Sequence, residues 1–284
     1  MATPRQLRIP EAPRSIQKGS TLKALLDREA VECLAGNLAL VHPKFDAAAF
    51  RREAMDGLKP LAILARGHHI AKALREHLPP VFEDAVAVLL RSLTPPLART
   101  DDIGLAVFFY LPHVSFVANY GLEEKDNGGR DPFEVSMRAQ YELTRRFSAE
   151  FSIRAFLIRW PERTLARLMA WTRDADPSVR RLCSEGTRPR LPWAMRIPAF
   201  VKDPRPTLPI LEALKDDPDL YVRRSVANHL GDIAKDHAAL AFEICERWAA
   251  GASEERKWLI RHAVRLPAKQ GVKAALRIRR LAKS

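Results

Sequence analysis

Apolar residues recur along this chain at three- and four-residue steps, the spacing that gathers them on one face of an α-helix. Leu22, Leu25 and Leu26 predict the opening of one helix, and Phe50, Met55 and Leu58 mark another. Ile63, Ile70, Leu74 and Leu78 form a longer stripe, as do Phe82, Ala85, Val86, Val88, Leu89 and Leu90. No sustained period-two alternation and no Asn-Gly turn between β-branched runs is found, so strands are not expected. Proline punctuates the pattern at Pro79-Pro80, Pro95-Pro96, Pro161, Pro177, Pro189, Pro192, Pro198 and Pro218. Proline can begin a helix but not continue one, so these positions read as helix boundaries. The pattern predicts an all-α chain. Its clearest long loop runs from Gly121 to Pro132 around Asp126-Asn127-Gly128-Gly129. That loop is expected to separate an N-terminal helical region, residues 1–120, from a repeating part, residues 132–284, within one continuous domain.

The repeat is visible in the sequence. Asp176-Pro177-Ser178-Val179-Arg180-Arg181 is echoed by Asp217-Pro218-Asp219-Leu220-Tyr221-Val222-Arg223-Arg224. The Val-Arg-Arg triplets stand 43 residues apart and the Asp-Pro corners 41. Ser148-Ala149-Glu150 is similar to Cys183-Ser184-Glu185, displaced by 35 residues. A period of ~40 residues built from two helices is the signature of HEAT-type repeats. Val179, Leu182, Cys183, Val222, Val226 and Leu230 are then expected to pack inward. The other face would line a concave, basic surface able to wrap an extended partner. Trp258, Arg261, His262 and Arg265, on successive turns, read as a degenerate fourth unit.

Composition narrows the partner. At 284 residues and 47% hydrophobic, the chain can bury one large core or two modest ones. Its 47 Lys and Arg against 34 Asp and Glu give a formal net charge of +13, the footprint of nucleic acid or an anionic membrane surface, or merely of a soluble basic protein. No apolar run approaches the ~18 residues that span a bilayer, so no membrane insertion is expected. Met1 to Gln17 holds no apolar segment of the secretory type. Cys33, Cys183 and Cys245 are far apart, which argues for a reducing cytosol and against disulfides or a thiolate metal site. From Arg256 to Ser284 there are ten Lys or Arg and no acid. Such a tail reads either as a helix laid along phosphates or as a solvated terminal helix.

Candidate chemistry lies in a second pattern. Arg146 precedes Glu150, Arg181 precedes Glu185, and Arg224 precedes Asn228 and then Asp232, always in steps of four. On a helix, residues four apart share a face. One such pair is an ordinary surface ion pair worth ~0.3–0.5 kcal/mol. Three in register point to a shared surface, where arginines suit phosphates and a carboxylate among them suits a cationic group or a developing positive charge. Arg154, Arg188, Arg223 and Arg261 join Arg146, Arg181 and Arg224 as candidate phosphate contacts. Trp193, at a corner beside Arg188 and Arg190, is a candidate to face nucleic acid, whereas Trp171, Trp248 and Trp258 read as packing residues. His68-His69 lacks a second ligand pair, and His113, His229 and His237 read as structural. Glycine-rich phosphate loops, nucleophile elbows and zinc spacings are missing.

Three segments carry a family resemblance. Leu143-Thr-Arg-Arg-Phe-Ser-Ala-Glu-Phe-Ser-Ile-Arg-Ala-Phe-Leu157 resembles the AlkC-type DNA glycosylases of alkylation repair. So do Val179-Arg-Arg-Leu-Cys-Ser-Glu-Gly-Thr-Arg-Pro-Arg-Leu-Pro-Trp193 and Tyr221-Val-Arg-Arg-Ser-Val-Ala-Asn-His-Leu-Gly-Asp-Ile-Ala-Lys-Asp-His237. Weaker similarity runs back through Leu74, Leu58, Phe50 and Phe45 to Leu22, so the resemblance covers most of the chain up to Trp248. It implies an all-helical HEAT-like solenoid that excises cationic N-alkylated bases, such as 3-methyladenine and 3-methylcytosine, from double-stranded DNA. It also implies an enzyme without metal or organic cofactor in the bacterial cytoplasm, at the nucleoid; a monomer is the default expectation. Glu150, Glu185 and Asp232 carry over as the acidic residues of the active site, Phe151 and Trp193 as aromatic contacts, and Arg181 as a phosphate contact. Some members carry an immunoglobulin-like domain after the solenoid. With Ser284 as the last residue, that domain is expected to be missing, and its grip on DNA either absent or replaced by the basic tail. The alternative function is a non-catalytic HEAT scaffold that binds DNA or an acidic protein. The three acids separate the two, because a groove built only for phosphates gains nothing from carboxylates that repel the backbone.

Overall fold

The computed structural model describes residues 6–99 and 104–283. Met1 and Ser284, the outer ends of the N-terminal stretch and of the basic tail, lie outside them. Every regular element among the described residues is helical, and no helix among them is long and apolar enough to cross a membrane. The chain forms two compact units, Met1–Ala155 and Phe156–Ser284.

The first unit contains α1 (Arg28–Val41), α2 (Ala47–Met55), α3 (Ile63–His77), α4 (Phe82–Arg91), α5 (Leu111–Tyr120) and α6 (Phe133–Thr144). Leu22 to Leu26 form a tight 3-10 turn rather than the head of a longer helix. The α-helix begins only after Asp27, whose carboxylate accepts from the Glu29 and Ala30 amides and satisfies donors that the first turn leaves orphaned. Arg66 ties this turn to α3 by donating to the carbonyls of Lys23, Leu26, Lys59 and Leu61. Helices α3 and α5 pack against one another. At Gly67 the approach is so close that a Cβ would stand 2.7 Å from Leu111 Cγ. The apolar stripes of α3 and α4 are buried at Ile70, Leu74, Phe82, Ala85 and Leu89. The Gly121–Pro132 stretch lies inside this unit and is tied down. Buried Asn127 accepts from the Glu83 amide and donates to the Arg130 carbonyl.

Helix α7 (Ile153–Arg159) carries the division between the units. The second unit holds α8 (Pro161–Trp171), α9 (Pro177–Gly186), α10 (Pro198–Lys202), α11 (Leu208–Leu214), α12 (Leu220–Asp236), α13 (Ala238–Ala249), α14 (Glu254–Ala263), α15 (Arg265–Lys269) and α16 (Lys273–Leu281). Consecutive helices pair as α8 with α9, α11 with α12, and α13 with α14, and α12 packs between α9 and α14. This is the two-helix repeat. The second helix of each pair starts at a side-chain cap: Asp176 accepts from the Ser178 amide, Asp219 from Tyr221 and Ser253 from Arg256. Pro177 is the first residue of α9, but Pro218 stays in the turn and α12 begins at Leu220. The structural period therefore follows the Val-Arg-Arg triplets, not the Asp-Pro corners. Val179, Leu182, Cys183, Val222, Val226 and Leu230 are fully buried between the paired helices.

Candidate active site

Glu185 stands in the last turn of α9, and Asp232 in the last third of α12. The chain leaves α9 with Thr187 Oγ1 bonded back to the Cys183 carbonyl, 2.7 Å away, and this turn aims Arg188 between the two acids. Arg188 Nη1 lies 2.6 Å from Glu185 Oε1, and its Nε lies 2.7 Å from Asp232 Oδ2. Ser225 Oγ donates to Glu185 Oε2 at 2.6 Å. Lys235 Nζ donates to Asp232 Oδ1 at 2.8 Å, and Arg181 Nη2 stands 3.5 Å from Glu185 Oε1. Glu185, Arg188 and Asp232 are all buried.

Burial alone would push the Glu185 carboxyl up, but the charges of Arg181 and Arg188 and the Ser225 hydrogen bond outweigh it and hold it below the usual range. Burial likewise works against the Arg188 cation, and Glu185 with Asp232 more than restores it. The cluster is thus a set of fixed charges whose orientation is already determined. His229 is packed on the same helix pair, with Nδ1 3.0 Å from the Ser184 carbonyl and Nε2 3.3 Å from Thr207 Oγ1. Burial drives its pKa down to about 3, so at neutral pH it is an uncharged strut.

Glu150 is in different surroundings. It lies in the turn between α6 and α7, half-buried, in the first unit. Ser148 Oγ donates to Glu150 Oε2 at 2.9 Å and accepts from the Glu150 amide at 3.2 Å, which fixes the carboxylate within its own turn. Phe151 follows it, also half-buried. Trp193 is 65% exposed, and its φ of 64° is left-handed. That conformation costs an L-residue roughly 1–2 kcal/mol, strain of the kind found where a side chain is held out for contact.

The arginine pattern requires correction. Arg146 and Glu150 do not share a helix, because α6 ends at Thr144. Arg146 instead donates to the Thr94 carbonyl and to Glu142. Arg224 and Asp232 share α12 but not an ion pair; Asp232 takes Arg188 and Lys235. Arg154 is fully buried, Arg223 is buried with Nη1 on the Asp217 carbonyl, and Arg261 donates to the Ala282 carbonyl. A guanidinium has five donors and no acceptor, so backbone carbonyls left open at helix ends compete effectively with solvent for it. Arg188, Arg223 and Arg261 thus act as clamps on neighbouring segments. Arg224 remains exposed, and Arg181 lies half-buried with its Cζ 4.7 Å above the Tyr221 ring. Sequence reading missed Ser225 and Lys235, whose link to the acids crosses from α9 to α12 or runs along α12 without a motif.

Stacked two-helix repeats that bury fixed carboxylates among arginines define a helical-repeat protein with a charged, preorganised site. No family model matches the chain. The uncharacterized protein YhaZ of Bacillus subtilis (strain 168) is 35% identical over 260 residues, which cover 90% of this chain and 67% of that protein. The alkylpurine DNA glycosylase AlkC of Pseudomonas fluorescens, solved bound to DNA containing an abasic site analog, matches with a TM-score of 0.79 and 36% identity. The match covers 92% of this chain and 68% of that one. The chain belongs to the AlkC family.

Proposed function

We propose that this chain is a monofunctional DNA glycosylase that hydrolyses the N-glycosidic bond of cationic alkylated bases such as 3-methyladenine and 3-methylcytosine. Double-stranded DNA carrying these bases is the proposed partner. The observation that carries the reading is the buried Glu185–Arg188–Asp232 cluster, in a chain whose Pseudomonas relative is solved on DNA. Fixed carboxylates are of no use to a groove that only holds phosphates. They match the positive charge that develops on a sugar as its base departs.

In the proposed reaction the C1′–N bond breaks and its electron pair leaves with the base, which becomes neutral. Positive charge then spreads over C1′ and O4′. Water attacks C1′ and loses a proton to a carboxylate, leaving a free base and an abasic sugar. Of the three acids, Glu185 and Asp232 have their oxygens taken by Arg188, Ser225 and Lys235. Glu150, half-buried and held by Ser148 in the turn before α7, is assigned the general-base role. Within the second unit, Glu185 and Asp232 hold Arg188 in place.

The test is base release from a methylated duplex. The wild type is expected to release 3-methyladenine or 3-methylcytosine, and Glu150→Gln to bind the duplex normally while release falls by ~10²-fold or more. Normal release by the variant would remove Glu150 from its role. Salt-sensitive DNA binding with no release by the wild type would favour the non-catalytic scaffold.

A further inference from the structure

A group of side chains on α12, α14 and α15 is left unexplained by the acid cluster. Asn228, one turn before Asp232 on α12, accepts at Oδ1 from two sides. His262 Nε2 lies 3.1 Å away, and Arg265 Nη2 lies 3.0 Å away. The His262 ring is itself fixed, stacked on Trp258 with centroids 4.9 Å apart and planes 19° from parallel. Arg265 also donates to the His262 carbonyl at 2.7 Å, so its guanidinium has little freedom. Arg224, one turn before Asn228 on the same helix, is exposed.

Several other arginines of this unit sit in ion pairs. Arg190 meets Asp236 and Arg256 meets Asp216, each at 2.6 Å, and Arg277 meets Glu246. Arg224 and Arg265 have no carboxylate within ion-pair distance among the described residues. The field they create registers on His262, whose pKa falls to about 4 through burial and then through Arg265 and Arg224. Arg265 in turn is held below its ordinary value by burial and by the neighbouring charge of Arg188, with Asp232 acting in the opposite sense. Two uncompensated guanidiniums, that of Arg265 held in place, beside a buried acid cluster have the chemistry of an anion-binding site.

We propose that Arg224 and Arg265, the latter positioned by Asn228 and by His262 on Trp258, form a subsite for one backbone phosphodiester of the DNA strand. The subsite rests on the glycosylase reading for the identity of its ligand. It seats the strand beside the Glu185–Arg188–Asp232 cluster, so that phosphate charge meets Arg224 and Arg265 instead of the acids.

Binding to a duplex containing an abasic-site analogue, followed by fluorescence anisotropy between 50 and 200 mM salt, tests it. Neutralising one phosphate contact lowers the slope of log K against log salt by about 1. Because both arginines are assigned to one phosphate, R224A/R265A is expected to lose about 1 in slope. R265K, which keeps the charge, is expected to stay near the wild-type slope. Arg205→Ala serves as the control, since Arg205 is already paired with Asp203 and its loss removes a cation away from the subsite. A double variant with the wild-type slope and affinity would overturn the subsite, as would an equal loss in the Arg205→Ala control. Base release by the wild type, measured alongside, reports separately on the glycosylase reading. Release with an unchanged slope refutes the subsite alone, and a lowered slope without release supports the DNA contact while refuting the enzyme.

Discussion

Arg188 donates to two carboxylates contributed by different helices, one of them 44 residues further along the chain. Both acids are buried, so the arginine is what makes their charge tolerable there. Removing one partner of a buried charge network typically costs ~3–5 kcal/mol, because the remaining charges are left without compensation. Arg188→Met is therefore expected to lower stability by that order, measured by urea unfolding. A variant as stable as the wild type would mean that water reaches Glu185 and Asp232 freely. Asp232→Asn is subject to the same coupling through Arg188, so any loss of base release there mixes chemistry with folding. Glu150, bonded through Ser148 within its own turn, gives the cleaner catalytic test.

Between helices, close approach and open surface predict opposite outcomes for the same substitution. At Gly67, where α3 meets α5, an added methyl would collide with Leu111 Cγ at 2.7 Å and press on Ser115 Oγ at 3.0 Å. Gly67→Ala is expected to destabilise by ~1–3 kcal/mol through overpacking. Gly36 lies within α1, exposed, with nothing within 4 Å of the position its Cβ would take. Gly36→Ala is expected to stabilise by up to ~1 kcal/mol through helix propensity alone. Thermal melts of the two variants beside the wild type check both signs. A Gly67→Ala variant as stable as the wild type or more so would show that the α3–α5 contact is less tight than described.

Across the molecule, each compact unit encloses a histidine that burial keeps neutral. His113 lies in α5 of the first unit and His229 in α12 of the second, and both have pKa values driven down to about 3. The folded-state pKa lies below the unfolded value of ~6.5, so the unfolded chain takes up protons first as pH falls. Their contribution to stability is intact above the unfolded pKa and is lost progressively as pH drops through 6 and 5 toward 3. Between pH 7 and pH 5 each histidine is expected to cost its unit up to ~2 kcal/mol. Urea unfolding at the two pH values measures this, and equal stability at both would show that neither histidine remains neutral. Acidification also protonates carboxylates in a chain already at +13, which adds self-repulsion in the same direction.

The sequence by itself determined the helical class, the stripes on α3 and α4, the inward-facing Val179, Leu182, Val222 and Val226, and the 43-residue period, because these depend on local spacing. Asp176 was legible as the start of its helix for the same reason. The resemblance on three segments supplied the family and the three acids. Only the tertiary structure decided which charges meet. Arg146 and Glu150 are four apart but not on a helix, since the chain turns after Thr144. Glu185 and Asp232 share Arg188 because α9 and α12 pack side by side, a proximity that no spacing of four reports. The inward turn of Arg154, Arg223 and Arg261 followed the same logic. A guanidinium goes where donors are most needed, and for Arg188 and Arg261 the acceptors come from residues distant in sequence.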